Sequence, residues 1–437
     1  MTAATRPHLG MDPDLLRKIG FTVLCLVVYR VGAHIFAPGV NVQAVTDFIR
    51  NSSAAGLFGL YDTLGGGLSR ATVFALGIMP YISASIIFQL AGGIVPSVGK
   101  MQKDEQGKKT LEQWTRYLTV GIALTQAYTF AVFTETIPNA VPNAGFWSRL
   151  SMVVVLTTGA VFVMWLGEQI TERGIGNGMS LLITFSILDR LLPGLVNMAG
   201  FWKAGALTLG KITFFAVVLL AVAAAVTAMY LAARRIPVQI PRKVVGRGRM
   251  TQGQKTFIPI GLITSGVMPI VFAQTIIIVP GTVANFIQNP TARAFADFFT
   301  PGDLPYDLTF AVLILLFTYF YTSIIFNSVD LAENLKKQGG FIPGVKPGAS
   351  TADYIDNVLA RVTLPGAIFL ALIALIPVFL TKNMGFQQQF GGTSVLIVVG
   401  VLLDTWRQIE QHRTLRRYDS FMKGGRIKFR GRQQRFI

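Results

Sequence analysis

The chain has 437 residues, 52% of them apolar and only 14% charged, with a mean hydropathy of +0.53 and a formal net charge of +18. Soluble domains carry about a quarter charged residues, so this balance excludes an ordinary soluble fold and indicates a polytopic membrane protein. A transmembrane β-barrel is excluded as well, because segments of about ten strictly alternating residues are absent.

Ten apolar stretches are long enough to be read as spans: 19–36, 70–91, 112–134, 150–170, 178–199, 211–233, 257–281, 307–327, 363–381 and 391–405. Most approach the roughly 20 helical residues that a bilayer core of about 30 Å requires. The first follows Arg17 and Lys18 and could be taken for a signal peptide. It is too long and lacks an A-x-A site, so it reads as a retained span. Cys25, the single cysteine, lies in this span and reads as a small apolar packing residue. Arg30 is deep enough in it to need a partner or an aqueous surface.

Between the first two spans the stretch from Asn51 to Leu68 is amphipathic over residues 54–64 and ends in Gly65, Gly66 and Gly67. It is about half the length needed to cross. Glycines at that density would leave backbone amides unpaired in lipid, so the segment must lie outside the hydrocarbon or be enclosed by protein. An interfacial helix and a hinged half-helix inside a bundle are both compatible with it. Pro80, Pro269, Pro365 and Pro377 fall inside spans, where each is expected to kink its helix. Glu168, Glu172 and Asp404 stand near span ends and read as interfacial.

The basic residues sort by side. Of 39 Lys and Arg, 29 lie in segments 1–18, 92–111, 171–177, 234–256, 328–362 and 406–437, all on the side of the N-terminus. Such loops are cytoplasmic by the positive-inside rule, so both termini are expected in the cytoplasm. Ten spans divide into two sets of five, and an odd number per set implies an inverted repeat, although no residue-level self-similarity is evident. The organisation expected is a cytoplasmic segment 1–18, an N-terminal half 19–200, a C-terminal half 201–405 and a basic tail 406–437. Residues 234–256 carry seven basic side chains and no acid. That loop reads either as topology signal and attraction to anionic lipid or as a docking surface for an acidic or RNA-rich partner.

Catalytic equipment is missing. The nearest approach to a phosphate-binding loop, Gly248 to Thr256, has one residue too many before Lys255 and no preceding strand. His8, His34 and His412 are scattered, which argues against a metal site, and no cofactor is expected. The chain reads as no enzyme.

Two stretches are specific. Gly77-Ile-Met-Pro80-Tyr-Ile82-Ser-Ala-Ser-Ile-Ile-Phe-Gln89-Leu and Trp165-Leu-Gly-Glu168-Gln-Ile-Thr-Glu172-Arg173-Gly174-Ile-Gly176-Asn177-Gly178-Met-Ser-Leu resemble the signature segments of the SecY family. This family supplies the central subunit of the bacterial protein-conducting channel. Asn334 to Gly344 and Phe390 to Ser394 resemble further family segments, and the likeness runs from about residue 17 to 405.

The resemblance implies an all-α clamshell of two inverted five-helix halves, opening sideways between spans two to three and seven to eight. It implies that residues 54–67, with Gly56, Leu57, Phe58, Leu60, Tyr61, Leu64, Gly65, Gly66 and Gly67, form the plug. The pore ring would comprise Ile78, Ile82, Met179, Ile183, Met268, Val271 and Ile397, and Gln126 would line the lateral gate. Read without the resemblance, these are apolar packing residues and a helix-packing hydrogen bonder. Docking of a motor or ribosome would fall on Arg242, Lys243, Arg247, Arg249 and Arg361. Expected partners are SecE, SecG, the SecA ATPase, the ribosome, signal sequences with nascent secretory or membrane proteins, and anionic lipids, at the bacterial inner membrane. A secondary transporter and a receptor-like membrane protein are the competing classes. The first would need polar groups at the midplane, and the second would not need the glycine-hinged half-helix.

Overall fold

The computed structural model describes residues 13–51, 67, 70–143, 145–203, 205, 208–239, 244–245, 249–250, 255–286, 303–384 and 392–424. Ten long helices run through them: α1 (Pro13–Gly32), α3 (Met79–Ile94), α5 (Glu105–Thr136), α6 (Phe146–Arg173), α7 (Gly178–Lys203), α8 (Leu209–Leu231), α9 (Met268–Phe286), α10 (Leu304–Ile325), α12 (Ala349–Met384) and α13 (Gly392–Gly424). Three shorter helices join them, α2 (Val42–Asn51), α4 (Pro96–Lys103) and α11 (Ser328–Lys337). Helices α3 and α4 meet at a bend of 108°.

The ten helices match the ten expected spans in order, but two of them start late. Residues 70–78 and 262–267 are turns, not helix. Residues 70–78 are tied to the end of the first span, with Ala37 N–H donating to Ala71 O at 2.8 Å and Val73 N–H to Ile35 O at 2.8 Å. Irregular backbone is tolerated at membrane depth only where protein encloses it, and Ala71, Thr72, Phe74, Ala75 and Leu76 are all buried. Pro80 and Pro269 therefore open helices instead of kinking them. Each occupies the second helical position, where a missing N–H leaves no helix bond unmade. Pro365 and Pro377 do lie within α12.

The seventh stretch also begins with a strand. Lys255–Gly261 (β4) pairs antiparallel with Ala233–Gln239 (β1), from Ala233 opposite Gly261 to Gln239 opposite Lys255. Hydropathy alone cannot separate a short apolar strand such as Phe257-Ile-Pro-Ile260 from the start of a span. The two-residue strands Val244–Val245 (β2) and Arg249–Met250 (β3) pair within the same loop.

Packing divides the long helices into the first five and the last five. Helix α6 packs on α1, α5 and α7, while α12 packs on α8, α10 and α13. Between the two sets the most extensive packings are α13 on α7 and α9 on α3. Arg30 and Asp189 form an ion pair between α1 and α7, beside a hydrogen bond of 2.8 Å between Tyr29 Oη and Ser186 Oγ. Cys25 is buried in the main apolar core.

Candidate channel waist and its mouth

Local chemistry fixes where the helices of the candidate waist begin. Asn177 caps α7, its Oδ1 accepting from Met179 N–H at 3.1 Å and Ser180 N–H at 3.3 Å. Thr171 Oγ1 accepts from Gly178 N–H at 2.9 Å, which binds the end of α6 to the start of α7. A Cβ on Gly178 would lie 2.0 Å from Gly167 O, so only glycine permits this approach. Gly77, Gly176 and Gly266 have φ of +52°, +85° and +62°, and each stands two residues before a helix start. Positive φ is strained for residues with a Cβ, which accounts for glycine at all three turns.

The seven residues expected in the pore ring sit on four helices. Ile78 caps α3 and Ile82 follows one turn on; Met179 and Ile183 are in α7, Met268 and Val271 in α9, and Ile397 in α13. All lie at the cap or in the first two turns of their helices. Six are buried, and Met268 is partly exposed and packed against them. They belong to one extended apolar cluster that also takes in much of the remaining core.

Beside Met179 opens a cavity of about 490 Å³. Its walls come from α3, the 102–116 stretch, the α6–α7 elbow and the end of α10, and include Tyr81, Phe88, Glu112 and Tyr321. In the wall of this cavity Arg116 Nε donates to Glu168 Oε1 at 2.6 Å, joining α5 to α6. Glu168 is thus paired by a neighbouring helix. The cavity, lined by both charged and apolar side chains, therefore lies next to the apolar cluster that holds Met179.

Gln126 is half-buried on α5 and has a polar interaction there. Of the residues expected in the plug only Gly67 is among those described, and a Cβ on it would meet Thr72 Oγ1 at 2.4 Å. Gly56, Leu57, Phe58, Leu60, Tyr61, Leu64, Gly65 and Gly66 lie outside the described residues, as do Arg242, Lys243 and Arg247. Arg249 is in β3, and Arg361 is exposed on α12. Next to Arg361, Val358, Leu359 and Val362 form a second apolar cluster with Ile236, Val238, Ile260, Ile342 and Ile355. Gln239 and Phe341 exchange two hydrogen bonds of 2.9 Å at its edge. The basic hairpin, the 341–345 stretch and the first turns of α12 are therefore one packed unit, built from contacts between segments far apart in the chain.

One signal was present in the sequence and missed. Gly77-Ile-Met-Pro80-Tyr-Ile82 and Gly266-Val-Met-Pro269-Ile-Val271 repeat the same pattern at the starts of α3 and α9. Gly77 N–H donates to Phe74 O at 2.9 Å and Gly266 N–H to Ile263 O at 3.4 Å; Ile82 N–H donates to Ile78 O at 3.1 Å and Val271 N–H to Val267 O at 3.3 Å. These are the second long helices of their respective sets.

The fold and the site define a polytopic helical membrane protein of the channel type. Over residues 72–406 the chain matches the SecY family model, and it belongs to the SecY family. It is 41% identical over 420 residues to the protein translocase subunit SecY of Aquifex aeolicus, covering 94% of this chain and 97% of that one. The Thermus thermophilus protein translocase subunit SecY is 39% identical over 431 residues, covering 96% and 98%. A solved protein-conducting channel shares the fold with a TM-score of 0.68 at 17% identity, covering 96% of each chain. Sec61 in the canine ribosome-channel complex from the endoplasmic reticulum does so with a TM-score of 0.63 at 16% identity, again over 96% of each.

Proposed function

We propose that the chain is the pore-forming subunit of a Sec translocon, passing unfolded polypeptides across the bacterial inner membrane and releasing apolar segments sideways into lipid. The observation that carries this reading is the gathering of Ile78, Ile82, Met179, Ile183, Val271 and Ile397 at the starts of four helices, next to a cavity lined by both charged and apolar side chains, in a chain of the SecY family.

A translocating chain brings amides that hydrocarbon would leave unpaired, so its path must be aqueous on either side of a short constriction. An apolar constriction resists ions by dewetting and grips no sequence strongly. Flexible Met179 beside Ile183 lets the waist yield around side chains of different size. Sideways exit between α3 and α9 partitions segments by hydrophobicity: a central Leu or Ile gains about 0.3–0.6 kcal/mol in lipid, while an Arg or Asp loses about 3. Gln126 serves that seam as a polar contact, and residues 54–67 serve as the plug.

The channel is passive and is driven from outside. SecA or the translating ribosome docks on the basic loops 234–256 and 328–362, with Arg242, Lys243, Arg247, Arg249 and Arg361 as contacts, and SecE and SecG brace the helices. Both termini face the cytoplasm, where the basic tail meets anionic lipid. Crosslinking from cysteines at Ile78, Ile82 and Ile397 to a stalled secretory chain tests the reading. All three positions should label the client, and labelling at none of them would remove the proposal.

A further inference from the structure

We propose, building on the channel reading above, that Val267 is a waist residue, the α9 counterpart of Ile78, and that Met268 is not. The waist contribution of α9 is then the pair Val267 and Val271, as that of α3 is the pair Ile78 and Ile82.

The inference rests on the repeated turn. Gly77 and Gly266 both hold positive φ, both donate to the carbonyl three residues earlier, and both are followed at the third position by a proline in the first turn of a helix. Superposing the two elements by these features pairs Ile78 with Val267, Met79 with Met268 and Ile82 with Val271. In each element the first and last members are linked by an N–H to O bond of one helical turn, Ile82 to Ile78 and Val271 to Val267. Residues one turn apart lie on one helix face, whereas the intervening methionine is rotated by about 100° from its neighbour. Met268 and Val271 are three apart and share a face less well than Val267 and Val271.

Burial and contacts agree. Val267 is 5% exposed and Ile78 is 2% exposed, both within the apolar cluster that holds Ile397. Val267 Cγ1 lies against Gly400, where a Cβ would come within 2.3 Å. Gly400 is about one turn beyond Ile397 on α13, so Val267 packs on α13 within one turn of Ile397. A Cβ on Gly400 would also come within 2.6 Å of Tyr230 Oη, so the gap left by this glycine admits both side chains. Met268 is partly exposed at the edge of the cluster. Its long flexible side chain suits the seam between helices better than a fixed constriction. Because each valine lacks one methylene of its isoleucine counterpart, α9 contributes the less bulky side of the waist and the one that accommodates larger client side chains.

The test uses the full complex with Cys25 replaced by serine and single cysteines at Ile78, Met79, Ile82, Val267 or Met268, probed with a secretory chain stalled in transit and carrying one cysteine. Cysteine is close to valine in size, so Val267→Cys keeps the packing. Val267→Cys should link to the client as efficiently as Ile78→Cys, and Met268→Cys should link about fivefold less, in keeping with its rotation off the face. Efficient linking at Met268 with none at Val267 overturns the assignment while Ile78 and Ile82 still report a channel. Loss of linking at Ile78, Ile82 and Val267 together removes both the assignment and the channel reading.

Discussion

Arg30 of α1 is ion-paired with Asp189 of α7, two helices whose partnership is also marked by the Tyr29 to Ser186 hydrogen bond. The sequence required a partner for a guanidinium at that depth and could not name it, since 159 positions separate the two. An arginine left alone at the centre of a span costs about 2.5–3.5 kcal/mol on insertion scales, and Arg30, in the last turn of α1, would cost less. The side chain of Arg30 is 39% exposed, which reduces the expected loss. Asp189→Ala should lower stability by about 1–3 kcal/mol, measured as thermal unfolding in nanodiscs, and Arg30→Leu with Asp189→Leu should recover most of it. An unchanged midpoint for Asp189→Ala would show that the pair adds nothing.

Ile82 is 5% exposed at the start of α3. Asparagine there puts an amide into the proposed constriction, where an unpaired polar group costs about 1–3 kcal/mol. That penalty falls on the closed state, so Ile82→Asn should let clients with less hydrophobic signal sequences through. Translocation assays with graded signal sequences measure this, and a stricter requirement would contradict the waist assignment.

Residues 57–65 belong to the stretch that the family resemblance identifies as the plug. If they seal the channel, deleting them should raise ion conductance through reconstituted protein in planar bilayers. Equal conductance with and without the segment would argue against that role.

Arg361 is exposed on α12, adjoining the apolar cluster of Val358, Leu359 and Val362. Its own side chain is not part of that cluster, so Arg361→Glu should leave the fold intact while opposing an acidic partner. Surface charge reversal acts mainly through association, so motor-driven translocation should fall and the loss should deepen at low salt. Normal translocation by Arg361→Glu would remove the residue from the docking surface.

The spans were legible because a bilayer imposes one length and one polarity on every crossing helix, and Glu105–Thr136 and Leu209–Leu231 obey that rule plainly. The rule failed at residues 70–78 and 257–267. There the apolar run continues through turns and a strand, and hydropathy measures environment, not hydrogen-bond pattern. The matched Gly-x-Met-Pro turns escaped because the halves otherwise share little sequence, and six residues carry weight only when their φ angles and bonds are seen to coincide.

By itself the sequence determined the membrane class, the number and order of the long helices and, through its signature segments, the family, because hydrophobicity and motif identity are local properties. Only tertiary structure decided that Arg30 meets Asp189, that Arg116 meets Glu168 beside a cavity, and that α3 and α9 open from equivalent glycine turns against each other. These depend on contacts between segments far apart in the chain, and such contacts are fixed by the packing of whole helices, which no local pattern encodes.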